Sequence, residues 1–158
     1  QCAGFSDKEV ALFRTGTERG DCPMVERVDK EEGLLRAKDE MARAADELKA
    51  ATVLHEEGFY FKGVSSAYYA IYHAAKALLL IKGVDPKSHE GVERMFSLYY
   101  IKTKEFDLSA GKAIGRLMKM REEADYYPEV PFTPEESQEA IKMATDFVDK
   151  AKSSTTNP

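Results

Sequence analysis

From Asp29 onward the apolar residues recur at intervals of three and four rather than two. Leu34, Ala37, Met41, Ala44, Leu48 and Ala51 form one such series, which predicts a long amphipathic helix running to about His55, with Gly58 as its stop. A second helix is predicted from about Phe61 to Lys82. Its apolar residues, among them Val64, Tyr68, Ile71, Ala75 and Leu79, cover more than half the circumference, so it is expected at the centre of the molecule. Gly83 and Pro86 end it. Ser88 then stands where it can cap a third helix through Val92, Met95, Phe96 and Tyr99, with Lys102 to Asp107 as connector. A fourth helix follows Ser109, burying Ile114, Leu117, Met118 and Ala124, and Pro128 and Pro131 stop it. The fifth opens on Thr133-Pro134-Glu135-Glu136, a capping threonine, a proline at the first helical position and a glutamate at the third. Ala140, Ile141, Ala144, Phe147, Val148 and Ala151 form its buried side. No segment reads as a strand, and no repeat is visible. The pattern predicts an all-α, antiparallel up-and-down bundle of four to five helices.

At 158 residues the chain is expected to form one domain around one core. With 43% hydrophobic and 32% charged residues it has a globular composition, and its net charge of -5 argues against wholesale wrapping of nucleic acid. The longest apolar run, Ala74 to Ile81, is broken by Lys76 and stopped by Lys82 and Gly83, far short of a membrane span, so no membrane partner is expected. No secretory pattern is visible, and the expected compartment is the cytoplasm. Both cysteines, Cys2 and Cys22, lie in a stretch with little periodicity. Residues 1–23 are therefore read as a non-core extension, with the working domain starting at Met24 and spanning 24–152, and 153–158 as a flexible tail. The alternative is a Cys2–Cys22 disulfide closing a small loop. A cysteine-free domain excludes thiolate catalysis and cysteine-bound zinc.

At about 100° per residue, Ser66, Tyr69, His73 and Lys76 share a stripe about 80° wide on the otherwise apolar second helix. Such a polar seam must find partners, because each unpaired buried polar group costs about 1–3 kcal/mol. It is read either as a ligand-facing surface or as a polar edge reaching solvent. On the fourth helix Lys112, Arg116 and Lys119 form an outward row. Arg121 points the opposite way, among Ile114, Leu117 and Ala124, with Asp125 one turn on as its natural partner. That inward ion pair serves a ligand or the bundle equally well. Ser88 and His89, near the start of the third helix, could present donors to an anion or simply cap the helix. His55 complements a helix C-terminus. Three scattered histidines without ligand spacing predict no metal site and no cofactor.

These residues carry a family resemblance. Gly58-Phe59-Tyr60, the run Ser65 to Leu79 (SSAYYAIYHAAKALL), Ser88-His89-Glu90-Gly91 and Arg121-Glu122-Glu123-Ala124-Asp125-Tyr126 together resemble the HEPN domain, the higher eukaryotes and prokaryotes nucleotide-binding family. The resemblance covers roughly Lys30 to Lys152. It implies a bundle of four or five helices, commonly a homodimer, and in prokaryotes a frequent pairing with a small nucleotidyltransferase as a toxin–antitoxin system. Many members carry a ribonuclease motif, an arginine followed after four to six residues by histidine. Here Arg121 holds the arginine position, but Tyr126, Tyr127 and Pro128 stand where the histidine belongs. Without that imidazole the route for activating a ribose hydroxyl is missing, and a phenol with an ordinary pKa near 10 is a poor base.

The expectation is therefore a binding module rather than an enzyme. Arg121 would hold a phosphate or other anion with Asp125 orienting it, Tyr69, His73, Lys76 and Tyr126 would add contacts, and Ser88 and His89 would close one end. A divergent, metal-independent ribonuclease using Arg121, Tyr126 or His73 is the enzymatic alternative. It requires that folding bring His73 or His89 beside Arg121. A purely structural dimerisation bundle is the third reading. Nucleotides or RNA are the expected ligands.

Overall fold

The computed structural model describes residues 25–156. The expectations for the first 23 residues, for Met24 and for the cysteines lie outside the described residues. Among the described residues five α-helices form the bundle: α1 (Lys30–Glu56), α2 (Tyr60–Ile81), α3 (His89–Phe96), α4 (Leu108–Tyr126) and α5 (Pro134–Thr156). This is the all-α bundle expected. Local chemistry sets the boundaries. The Asp29 carboxylate accepts from the Glu32 amide at 3.0 Å to open α1, and Gly58 (φ 82°) and Gly83 (φ 74°) take the left-handed conformations that end α1 and α2. At α5 the capping box closes in both directions: Thr133 Oγ1 accepts from the Glu136 amide at 3.1 Å, and Glu136 accepts from the Thr133 amide at 2.9 Å.

Two features depart from the sequence reading. Val25–Arg27 (β1) pairs antiparallel with Val84–Pro86 (β2), with Glu26 opposite Asp85. Three residues are too few to show a period of two, and Val84-Asp85-Pro86 reads as a helix terminator. At the other end, α5 continues to Thr156, so the described part of the expected tail, 153–156, is helical. The Ser153 and Ser154 hydroxyls bond back to the carbonyls of Asp149 and Lys150 at 3.1 and 3.0 Å, which supports the last turn.

α2 is the central helix, buried along most of its length. It lies close to α1 because the facing residues are small. Ala37, Ala44 and Ala51, spaced by seven, are buried on α1, and Gly63, Ala67, Ala70, Ala74 and Ala77 are buried on α2. A Cβ on Gly33 would come within 2.4 Å of the Leu80 carbonyl oxygen. On the other side, α3 passes into a π-helical turn, Ser97–Ile101. Phe96, Tyr100, Phe106 and Phe147 stack there edge and face, with centroids 5.2–5.8 Å apart. The Tyr100 hydroxyl donates to the Leu78 carbonyl at 2.6 Å, locking this aromatic cluster onto α2.

Candidate functional site

The ring of Tyr68, on α2, lies between two of the candidate residues. Its hydroxyl is 2.7 Å from His89 Nδ1 at the start of α3, and the Arg121 guanidinium of α4 sits over its face at 5.2 Å. His89 is further held by the Tyr72 ring, stacked at 4.5 Å, and by Tyr69 edge-on at 6.0 Å. Folding thus brings an imidazole and Arg121 onto the same tyrosine. Tyr68 itself reads from sequence as core. The available signal was its hydroxyl, which a residue only 1% exposed must satisfy somewhere.

The hydrogen-bond direction follows from that burial. Tyr68 keeps its proton, because burial pushes its phenol well above the ordinary value. The hydroxyl has no other acceptor among the described residues, so it donates to Nδ1. Burial pulls the His89 imidazole below its ordinary value, and the positive charge of Arg121 adds to this, with His73 and Lys76 contributing further, so the ring is neutral at pH 7. A neutral ring that accepts at Nδ1 carries its hydrogen on Nε2. His89 is therefore a donor, and its single lone pair is already taken.

Arg121 is 9% exposed and its Nε has no hydrogen-bond partner among the described residues. Its distance to Asp125 is 3.8 Å, too long for a hydrogen bond. Asp125 accepts instead from the Ser65 hydroxyl at 2.7 Å, tying the end of α4 to α2. Ser88 caps α3, its oxygen taken by the Gly91 amide at 3.0 Å. Tyr126 is 68% exposed at the end of α4.

His73 and Lys76 belong to a different cluster. His73 Nδ1 is 2.6 Å from Glu40 on α1, and Lys76 lies 3.7 Å from both Glu40 and Asp85. Asp85, fully buried on β2, also accepts from Arg36 at 2.6 Å and from Lys87 at 2.7 Å. Burial acts to raise the carboxyls of Glu40 and Asp85, yet both are held below their ordinary range: Glu40 by His73 and the charge of Lys76, and Asp85 by its bonds from Lys87 and Arg36. In the outward cationic row, Arg116 is engaged by Glu139 of α5 at 3.0 Å. The polar seam of α2 therefore divides: Tyr69 borders His89, while His73 and Lys76 anchor α1 and the ribbon.

Among the described residues, no group of three or more histidine, cysteine or carboxylate side chains is placed to hold a metal. No described helix is long and apolar enough to cross a membrane. Two donors, the buried Arg121 guanidinium and the half-buried His89 imidazole, around one aromatic ring suit recognition of an anion.

Comparison with known proteins gives the family. The HEPN domain model matches residues 37–154. A protein of Methanocaldococcus jannaschii named "Putative toxin MJ0605" is 42% identical over 109 residues, covering 69% of this chain and 81% of its own length. A second from that organism, "Putative toxin MJ0142", is 34% identical over 110 residues, covering 70% and 75%. A UPF0332 protein of Thermotoga maritima is 32% identical over 107 residues, covering 68% and 81%. With three quarters of its length matched by the family model and its Arg121 to Tyr126 segment closing the α4 helix beside Tyr68, the chain belongs to the HEPN domain family.

Proposed function

We propose that this toxin-like HEPN protein binds the phosphate of a nucleotide or RNA at Arg121 without chemistry of its own, and that it works in the cytoplasm as a homodimer paired with a small nucleotidyltransferase. One observation carries the binding reading: a buried guanidinium held over Tyr68, with its Nε unpaired and no carboxylate at hydrogen-bond distance among the described residues. A cation left under-coordinated in a low-dielectric setting is stabilised when an anion arrives. His89 Nε2–H supplies a second donor. The nucleotidyltransferase and the dimer follow from the family resemblance.

The ribonuclease reading draws on the proximity of His89 to Arg121. Against it stands the hydrogen bond from Tyr68, which occupies the lone pair a general base would use. A thermal-shift series with mono-, di- and trinucleotides and short RNAs, run beside an RNA-cleavage assay, tests both readings. Stabilisation of the wild type that vanishes in a folded Arg121→Met variant, with no cleavage, is the expected result. Cleavage abolished by His89→Gln would replace the binding reading with the enzymatic one. Co-expression with a nucleotidyltransferase and size-exclusion analysis test the partner and the dimer.

A further inference from the structure

Where α1 turns into α2 and α4 gives way to α5, a groove of about 380 Å³ opens, lined by Tyr60, Phe61, Tyr127, Pro128, Val130 and Phe132. Its apolar residues are unusually open to solvent: Phe61 is 42% exposed and Tyr127 53%, with Phe59 (53%) and Tyr126 (68%) beside them in sequence. A cluster of exposed large apolar side chains at one end of a molecule marks an interaction surface. The groove is also preformed. The Val130 amide donates to the Tyr127 carbonyl at 3.0 Å, closing a turn around Pro128 and Glu129, and Pro131 follows. Gly58, in its left-handed conformation, presents no side chain to the opposite wall.

The charges around the groove select the occupant. Glu56 and Glu57 immediately precede Gly58, Glu123 and Asp125 flank Ala124 of the groove wall on the last turn of α4, and Glu129 sits in the turn itself. Among the described residues Glu56, Glu57, Glu123 and Glu129 have no cationic partner. Lys62, over the Phe61 ring at 5.7 Å, is the neighbouring counter-charge on α2. This excess of negative charge opposes RNA and anionic membranes, both of which are bound through Lys and Arg. It opposes a second copy of the same face for the same reason.

We propose that the groove docks a basic polypeptide segment of a partner protein, which places aliphatic or aromatic side chains between Phe61 and Tyr127 and sets Lys or Arg against the carboxylate rim. The proposal stands apart from the ligand at Arg121 and from the identity of the partner.

The test titrates the full ¹⁵N-labelled chain with a synthetic amphipathic peptide of leucine and lysine. Two control peptides carry glutamine or glutamate at every lysine position. The lysine peptide is expected to shift the amides of Gly58, Phe61, Tyr127 and Val130, to weaken as salt is raised, and to outbind both controls. Phe61→Ser and Tyr127→Ser, with their folding checked by circular dichroism, should each weaken it roughly tenfold. The double change Glu57→Gln and Glu129→Gln should flatten the salt dependence. Shifts mapping elsewhere, a glutamine peptide that binds as well as the lysine one, or a short RNA that perturbs the groove more strongly would each overturn the proposal.

Discussion

Replacing Arg121 with methionine keeps the aliphatic stem and removes the guanidinium, so it separates a binding role from an architectural one. Two favourable contacts are lost. The cation over the Tyr68 ring at 5.2 Å contributes up to about 2 kcal/mol in a desolvated setting. The 3.8 Å approach to Asp125, whose side chain is 22% exposed, adds about 0–1 kcal/mol. Against these, the substitution relieves the unsatisfied buried Nε, a penalty of about 1–3 kcal/mol. The opposing effects cancel to within about 1 kcal/mol, whereas breaking a well-made buried ion pair costs about 3–5 kcal/mol. For a domain of this size 1 kcal/mol corresponds to a melting shift of about 3–5 °C. Urea unfolding should therefore place Arg121→Met near the wild type. A ligand at a hundred times its dissociation constant should add about 2.7 kcal/mol to the wild type and nothing to the variant. A variant destabilised by 3 kcal/mol or more, beside a wild type that no nucleotide or phosphate stabilises, would make Arg121 part of the architecture and refute the reasoning.

Three further outcomes follow from the geometry. His89 is held below its ordinary value of 6.5 by burial first and by Arg121 second, so near that pH the unfolded chain binds a proton that the folded one refuses. Its contribution to stability is full above pH 6.5 and is lost as pH falls through the folded-state value. Urea midpoints between pH 7.5 and 5.5 should drop more steeply in the wild type than in His89→Gln. Gly33→Ala would drive a methyl to 2.4 Å from the Leu80 carbonyl oxygen, forcing α1 away from α2 and costing about 1–3 kcal/mol in urea unfolding, despite the better helix propensity of alanine. Asp85→Ala removes the fully buried carboxylate that gathers Arg36, Lys76 and Lys87 and should cost about 3–5 kcal/mol, while Asp85→Asn should cost less.

The helices were legible because each carries its own punctuation, from the Thr133–Glu136 box to the glycine stops at 58 and 83. The inward direction of Arg121 was legible as well, since helical phase follows from sequence alone. Phase does not reveal which helix another one meets. Tyr69, His73 and Lys76 share one stripe of α2, yet the helix runs past two neighbours, and the stripe divides between His89 on one side and Glu40 with Asp85 on the other.

The least legible contact, Tyr68 with His89, depends on the element that sequence patterning misses. His89 sits three residues beyond Pro86, and β2 is held in place by pairing with β1 and by the Val28 amide donating to the Gly83 carbonyl at 3.1 Å. Three-residue strands carry no periodic signature, so nothing in the patterning locates α3 against α2. Removing the strand should therefore separate fold from site. A chain beginning at Val28 loses the β1 partner of β2 but retains the α1–α2 seam and the aromatic cluster of Phe96, Tyr100, Phe106 and Phe147. Its circular dichroism should stay close to the parent, while the ¹⁵N resonances of the His89 ring move from the Nε2–H tautomer toward the mixture of a solvated imidazole. If that tautomer persists without β1, α3 is positioned by its own packing through Val92, Met95 and Phe96, and the ribbon has no part in building the site.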